Sequence, residues 1–237
     1  VYNYCDRWCE RCQFTKQCMV YLSEEENENN GSRDFADELG EYLEAAIELI
    51  QEKADELGID LSQAMMEVEE TEAELEEEER KIAQNILSEF SFKYAKDVED
   101  WFKTNASHFE AYLSNLEEEN ELELPSKKHS VEAAHKISDA MEVIRWYQFF
   151  INVKISRALS NRTRFYDDEY SQEDINVSIK LAILAIENSM SAWYIIFENF
   201  PQLQDEVIDF MNNLNYLNKQ LDEEFPGARE YKRPYFD

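Results

Sequence analysis

From Asp34 onward the apolar residues return at three- and four-residue steps, the period of a helix with one buried face. Phe35, Leu39, Tyr42, Leu43, Ala46, Ile47, Ile50, Ala54 and Leu57 form the first such stripe, and Gly58 follows it as a C-terminal stop. Asp60 or Ser62 caps the next segment, which carries no proline before Pro125. Its seam runs through Leu61, Met65, Val68, Glu72, Leu75, Glu79, Ile82, Ile86, Phe90, Tyr94, Val98, Trp101, Phe109, Leu113 and Leu116. One helix of that length protrudes from a compact domain, so a bend in the acidic block Glu67–Glu79 is expected, with either a break near Asn105–Ser107 or a chain that bends around its partners.

After the acidic loop Glu117–Lys128, Ser130 opens a third helix. Val131, Ala134, Ile137, Met141, Ile144, Gln148, Ile151, Ile155 and Leu159 mark its inner face, and fraying is expected at the polar run Ser160–Thr163. Ser171 opens the fourth, which ends before Pro201. It is apolar on nearly every side between Leu181 and Phe197, and so reads as a central helix surrounded by others. A fifth, Gln202 to Glu223, presents Val207, Phe210, Met211, Leu214, Leu217 and Leu221 on one face. The expected fold is all-α: a bundle of four to five long helices carrying a small four-cysteine head. The expected divisions are 1–22 (head), 23–32 (acidic linker), 33–225 (bundle) and 226–237 (a tail along the bundle or an oligomer partner).

Composition supports the helical reading. Four glycines and four prolines in 237 residues leave few turn signals, and 43% hydrophobic residues suffice for a core. A formal net charge of −30 opposes binding to phosphate backbones or anionic membranes. Neither nucleic acid nor a membrane is expected as partner; the charge favours solubility and attraction of cations or basic proteins. The first eighteen residues lack the apolar core of a secretory signal, and a cytoplasmic setting is expected.

The distinctive chemistry lies at the N-terminus, where Cys5, Cys9, Cys12 and Cys18 are the chain's four cysteines in C-x3-C-x2-C-x5-C spacing. Clustered thiolates are the preferred ligands of Zn²⁺ and of iron–sulfur clusters, and metal binding is preferred here over disulfides or free thiols. Arg7, Arg11 and Lys16 lie between the ligands and offset thiolate charge, while Tyr4, Trp8, Phe14 and Tyr21 supply apolar cover. Zn²⁺ is the expected cofactor, with a [4Fe–4S] cluster as the alternative. Cys5, Cys9 and Cys12 resemble the C-x3-C-x2-C motif of radical S-adenosylmethionine enzymes, a resemblance confined to that loop.

A second constellation lies in the third helix. Glu132 and His135 form an E-x-x-H pair, which projects two ligands from one helical face. The pair resembles half of the motif of ferritin-like di-iron carboxylate proteins, and this resemblance implies iron in the bundle. Glu187, in the most apolar helix, is the candidate third ligand; Arg145, His135, a tyrosine or a metal are its expected partners. The aromatics Trp146, Tyr147, Phe149, Phe150, Trp193, Tyr194, Phe197 and Phe200 are expected to be core rather than a ligand pocket.

The function expected from sequence is that of a non-enzymatic metal-binding helical protein. Its four-cysteine site is structural or docking, and its acidic bundle binds a protein partner or a second copy. The alternative is an iron-dependent oxidoreductase, using a cluster at the head or iron held by Glu132, His135 and Glu187. An acidic chaperone-like regulator of a basic partner is a third reading.

Overall fold

Asn85 marks where the long central segment breaks. Its amide donates to the Ile82 carbonyl at 3.0 Å, and its side-chain Oδ1 accepts the Leu87 amide at 2.9 Å, capping the helix that follows. The structure is a computed structural model that describes residues 4–22, 47, 49, 53, 75–121, 127–164 and 169–237. The first amphipathic stripe and the acidic linker lie almost wholly outside the described residues; Ile47, Leu49 and Lys53 are helical. The chain divides into two compact units, Val1–Arg80 and Lys81–Asp237, a boundary well inside the segment that periodicity assigns to the bundle.

In the second unit the four long helices are α1 (Ile86–Glu121), α2 (Lys127–Arg164), α3 (Glu169–Asn199) and α4 (Gln204–Glu224). The regular elements among the described residues are all helical. Cross-bonds fix the topology. Asn152, late in α2, donates to the Ser88 carbonyl at the start of α1 (2.9 Å) and to Ser91 Oγ (3.0 Å). Arg157 and Asn161, near the end of α2, bind Asp174 near the start of α3. Trp101 donates its indole N–H to Glu206, and Phe90 packs on Tyr216, so α1 and α4 also run antiparallel. Each helix therefore lies beside its sequence neighbours, with α4 closing against α1, an up-down-up-down bundle.

The core is aromatic at one level and aliphatic elsewhere. Trp193 of α3 is fully buried; its ring lies 5.0 Å from Trp101 and 4.8 Å from Phe210, centroid to centroid. Its indole N–H donates to Tyr94 Oη at 3.0 Å, which satisfies a polar group that burial would otherwise strand. Phe102, Phe109 and Phe200 extend the cluster. Away from it the core is aliphatic: Ile144, Ile151 and Ile155 of α2 and Ile179, Ile183 and Ile186 of α3, two helices packed along each other, are all at most 2% exposed.

Several expectations need correction. No break occurs at Asn105–Ser107: α1 runs through it, with buried Asn105 donating to the Trp101 carbonyl one turn back at 3.0 Å. Ile86 is 63% exposed while Leu87 is buried, so the seam is offset by one residue at its start. α2 begins at Lys127, before Ser130, and does not fray at 160–163; there Asn161 is tied to Asp174 and Thr163 Oγ1 to the Leu159 carbonyl (2.9 Å). α3 starts at Glu169, and a 3-10 turn, Pro201–Leu203, delays α4 to Gln204. α3 is not enclosed all round either, because Glu187, Ser191, Tyr194 and Glu198 form an exposed stripe. It is long and apolar enough to cross a bilayer, yet 56% of that apolar window is buried within the bundle.

Burial raises the Tyr94 phenol well above its ordinary value of 10.0, partly offset by the Trp193 hydrogen bond. The folded state thus keeps the proton that the unfolded chain releases above pH 10, and stability falls as pH rises past that point. Tyr94→Phe leaves the Trp193 N–H unpaired and is expected to cost about 1–3 kcal/mol near neutral pH. The same change should flatten the alkaline loss of stability. Urea melts at neutral and alkaline pH check both; a variant as stable as the parent contradicts the packing described.

Candidate metal-binding head

The head is built from tight turns rather than regular helix. 3-10 turns at Cys9–Arg11 and Thr15–Gln17 are closed by amide bonds from Cys12 to the Cys9 carbonyl and from Cys18 to the Thr15 carbonyl, each 3.1 Å. Residues 19–22 then turn helical. Asp6 Oδ1 accepts the Trp8 amide at 3.2 Å, an Asx turn that reverses the chain after Cys5. Trp8 is 5% exposed, and the Arg11 guanidinium lies over its ring at 4.0 Å. Trp8 is the apolar centre of the head, with the Arg11 cation on its face.

Two thiols accept backbone amides from two residues ahead. The Arg7 amide bonds to Cys5 Sγ, and the Phe14 amide donates to Cys12 Sγ at 3.4 Å. Amide donors aimed at sulfur favour the thiolate, the form that binds a metal. Arg7 makes its bond from the left-handed region, at φ 58°, where a side chain is strained. The Cys5 thiol is nonetheless raised above its ordinary value of 9.0, chiefly by burial. The Arg7 amide opposes that rise, while Asp6 and the nearby Cys12 and Cys18 thiols add to it. Mutual repulsion among neighbouring thiolates is what a bound cation relieves.

All four cysteines are partly exposed. The turns gather them in one loop without bringing three into metal-coordinating geometry; no group of three His, Cys, Asp or Glu with that geometry occurs among the described residues. The donor set fits Zn²⁺ or a four-iron cluster in kind.

The second set of candidates is dispersed. Glu132 and His135 are exposed on α2, and Glu132 pairs with Lys136 at 2.8 Å. Glu187 is not buried: its side chain is 45% exposed and pairs with Arg229 at 2.6 Å. Arg145, an expected partner, instead lies 4.4 Å over the Phe102 ring. Arg229 is the residue that sequence reasoning missed. It forks onto both Asp222 oxygens at 2.9 Å and reaches Asn218 at 2.7 Å, while Lys180 caps its carbonyl. Its guanidinium is held charged beyond its ordinary range by Asp222 first and then Glu187. The tail thus lies along α3 and α4, with Ala228 fully buried. Of the aromatics, Tyr147, Trp193 and Phe200 are core, whereas Trp146, Phe149 and Tyr194 are 36–50% exposed.

Comparison of the chain with protein-family models, curated proteins and solved structures finds no match. The functional reading therefore rests on the chemistry of the chain's own residues. In the head, the left-handed Arg7 supplies the backbone amide at Cys5. Arg7→Val adds a branched side chain where φ is positive and is expected to weaken the turn by roughly 1–2 kcal/mol. Arg7→Gly removes that strain. Hydrogen exchange over residues 4–22 should quicken about ten-fold in the valine variant and stay unchanged or slow in the glycine variant; identical exchange in both rules out the turn.

Proposed function

We propose that this chain is a cytoplasmic metal-binding helical protein. In this reading its four-cysteine head holds one Zn²⁺ as a structural or docking element, and its acidic helical bundle serves protein interaction. The observation that carries the reading is the pair of amide-to-sulfur bonds at Cys5 and Cys12, within a loop that holds every cysteine of the chain. A loop with four thiols of its own leaves no open coordination position, which favours a structural over a catalytic ion. Charge supports it as well. Arg7, Arg11 and Lys16 outnumber Asp6 and Glu10 in the head, against a chain of net charge −30, and so partly neutralise a tetrathiolate site.

The alternative is an iron-dependent redox protein with a [4Fe–4S] cluster on the same four cysteines. Metal analysis of anaerobically purified protein with an absorption spectrum separates the two. One zinc per chain without visible absorbance is expected; iron and sulfide with visible absorbance give the cluster reading, and metal-free protein contradicts both. Cys12→Ser should lower metal content below half of one equivalent. His135→Ala and Glu187→Gln should leave it unchanged, whereas a loss of iron in either variant places metal in the bundle.

A further inference from the structure

One end of the bundle holds a cavity of about 380 Å³, where the last turns of α2 and α4 meet the first turns of α3. Arg162 lines it from α2, Gln172, Ile175 and Asn176 from α3, and Glu224 and Phe225 from the end of α4. The Arg162 guanidinium sits over the Phe225 ring at 4.9 Å and donates through Nη1 to Glu224 Oε2 at 3.1 Å. Its Nε and Nη2 groups have no partner among the described residues. Gln172 and Asn176 share a single long contact of 3.4 Å, which leaves an amide donor on Asn176 and an amide oxygen on Gln172 for a guest.

The lining carries both signs: Arg162 and the Asn176 amide supply donors, Glu224 and the C-terminal end of α4 beside them supply negative charge, and Phe225 and Ile175 supply apolar surface. A guest with only a negative charge meets Glu224 within a strongly acidic chain, and a guest with only a positive charge meets Arg162. A guest carrying both charges exchanges a partly exposed ion pair, itself worth little, for two charge-assisted contacts. The volume lies at the low end of the ~300–1,000 Å³ of small-molecule sites, which restricts the guest to one small molecule.

We infer that this cavity binds a free α-amino acid with an apolar side chain. Its carboxylate lies on Arg162, its ammonium on Glu224, and its side chain against Phe225. The inference does not rest on the proposed metal binding by the head. Calorimetric titration of the full chain with three probes tests it: L-leucine, its amine-lacking analogue 4-methylpentanoate, and its carboxylate-lacking analogue 3-methylbutylamine. Leucine should bind saturably, and each single-charge analogue at least ten-fold more weakly. Arg162→Ala and Glu224→Gln should each weaken leucine ten-fold or more with helical content unchanged. No saturable leucine binding at millimolar concentration overturns the inference. So does equal binding of either analogue, or parental leucine affinity in both variants.

Discussion

The second unit depends on burying Trp193. A full indole in the middle of a bundle removes more apolar surface from water than any aliphatic side chain, but it brings one N–H that cannot be left unpaired. Tyr94 on α1 meets that requirement, and Trp193, edge to face with Trp101 and stacked on Phe210, joins α1, α3 and α4 at one level. α2 joins through different chemistry: isoleucines against α3 and a serine–asparagine cluster against α1. A directional aromatic level fixes the register of three helices, and the less specific aliphatic layers follow it. The polar contacts at the bundle's ends, Asp174 with Arg157 and Asn161, then Arg229 with Asp222 and Glu187, tie down the helix termini and the tail.

The head obeys a different constraint. Residues 4–22 have one buried side chain of size, Trp8, and their turns are closed by single amide bonds. So small a core leaves much for a metal to stabilise, since ion binding in such loops contributes directly to folding. The Arg7 amide opposes the rise that burial imposes on the Cys5 thiol, and the left-handed Arg7 turn shapes the loop at that point. The helical unit is held by large-area aromatic packing, whereas the described part of the head has little more than Trp8 and its turn hydrogen bonds.

Periodicity made the inner faces of α2 and α4 legible, because Ile137, Ile144, Ile151 and Ile155, and Val207, Phe210, Leu214, Leu217 and Leu221, are all buried. It misplaced the break in the long segment, because the decisive signal was a single capping side chain, Asn85, rather than an interruption of the apolar seam. The polar stretch at Asn105–Ser107 looked like a break, yet Asn105 bonds back to its own helix. Glu187 misled for a related reason: a carboxylate in an apolar helix reads as buried, but α3 keeps one solvent-facing stripe on which Glu187 lies. Its partner Arg229 lies beyond α4, in a tail without periodicity, so nothing local in sequence joined the two. Spacing places the four cysteines in one short loop, but the described residues bring no three of them into coordinating geometry, and the left-handed turn at Arg7 was not legible because arginine carries no signal for positive φ.

The central claim is that the four thiols close on one ion. Zinc K-edge X-ray absorption on the full chain measures this most directly, because it reads the identity, number and distance of the atoms bound to the metal. Four sulfur scatterers at about 2.3 Å per zinc are expected. A first shell containing nitrogen or oxygen, or zinc bound at less than one equivalent with the cysteines oxidised, contradicts the account.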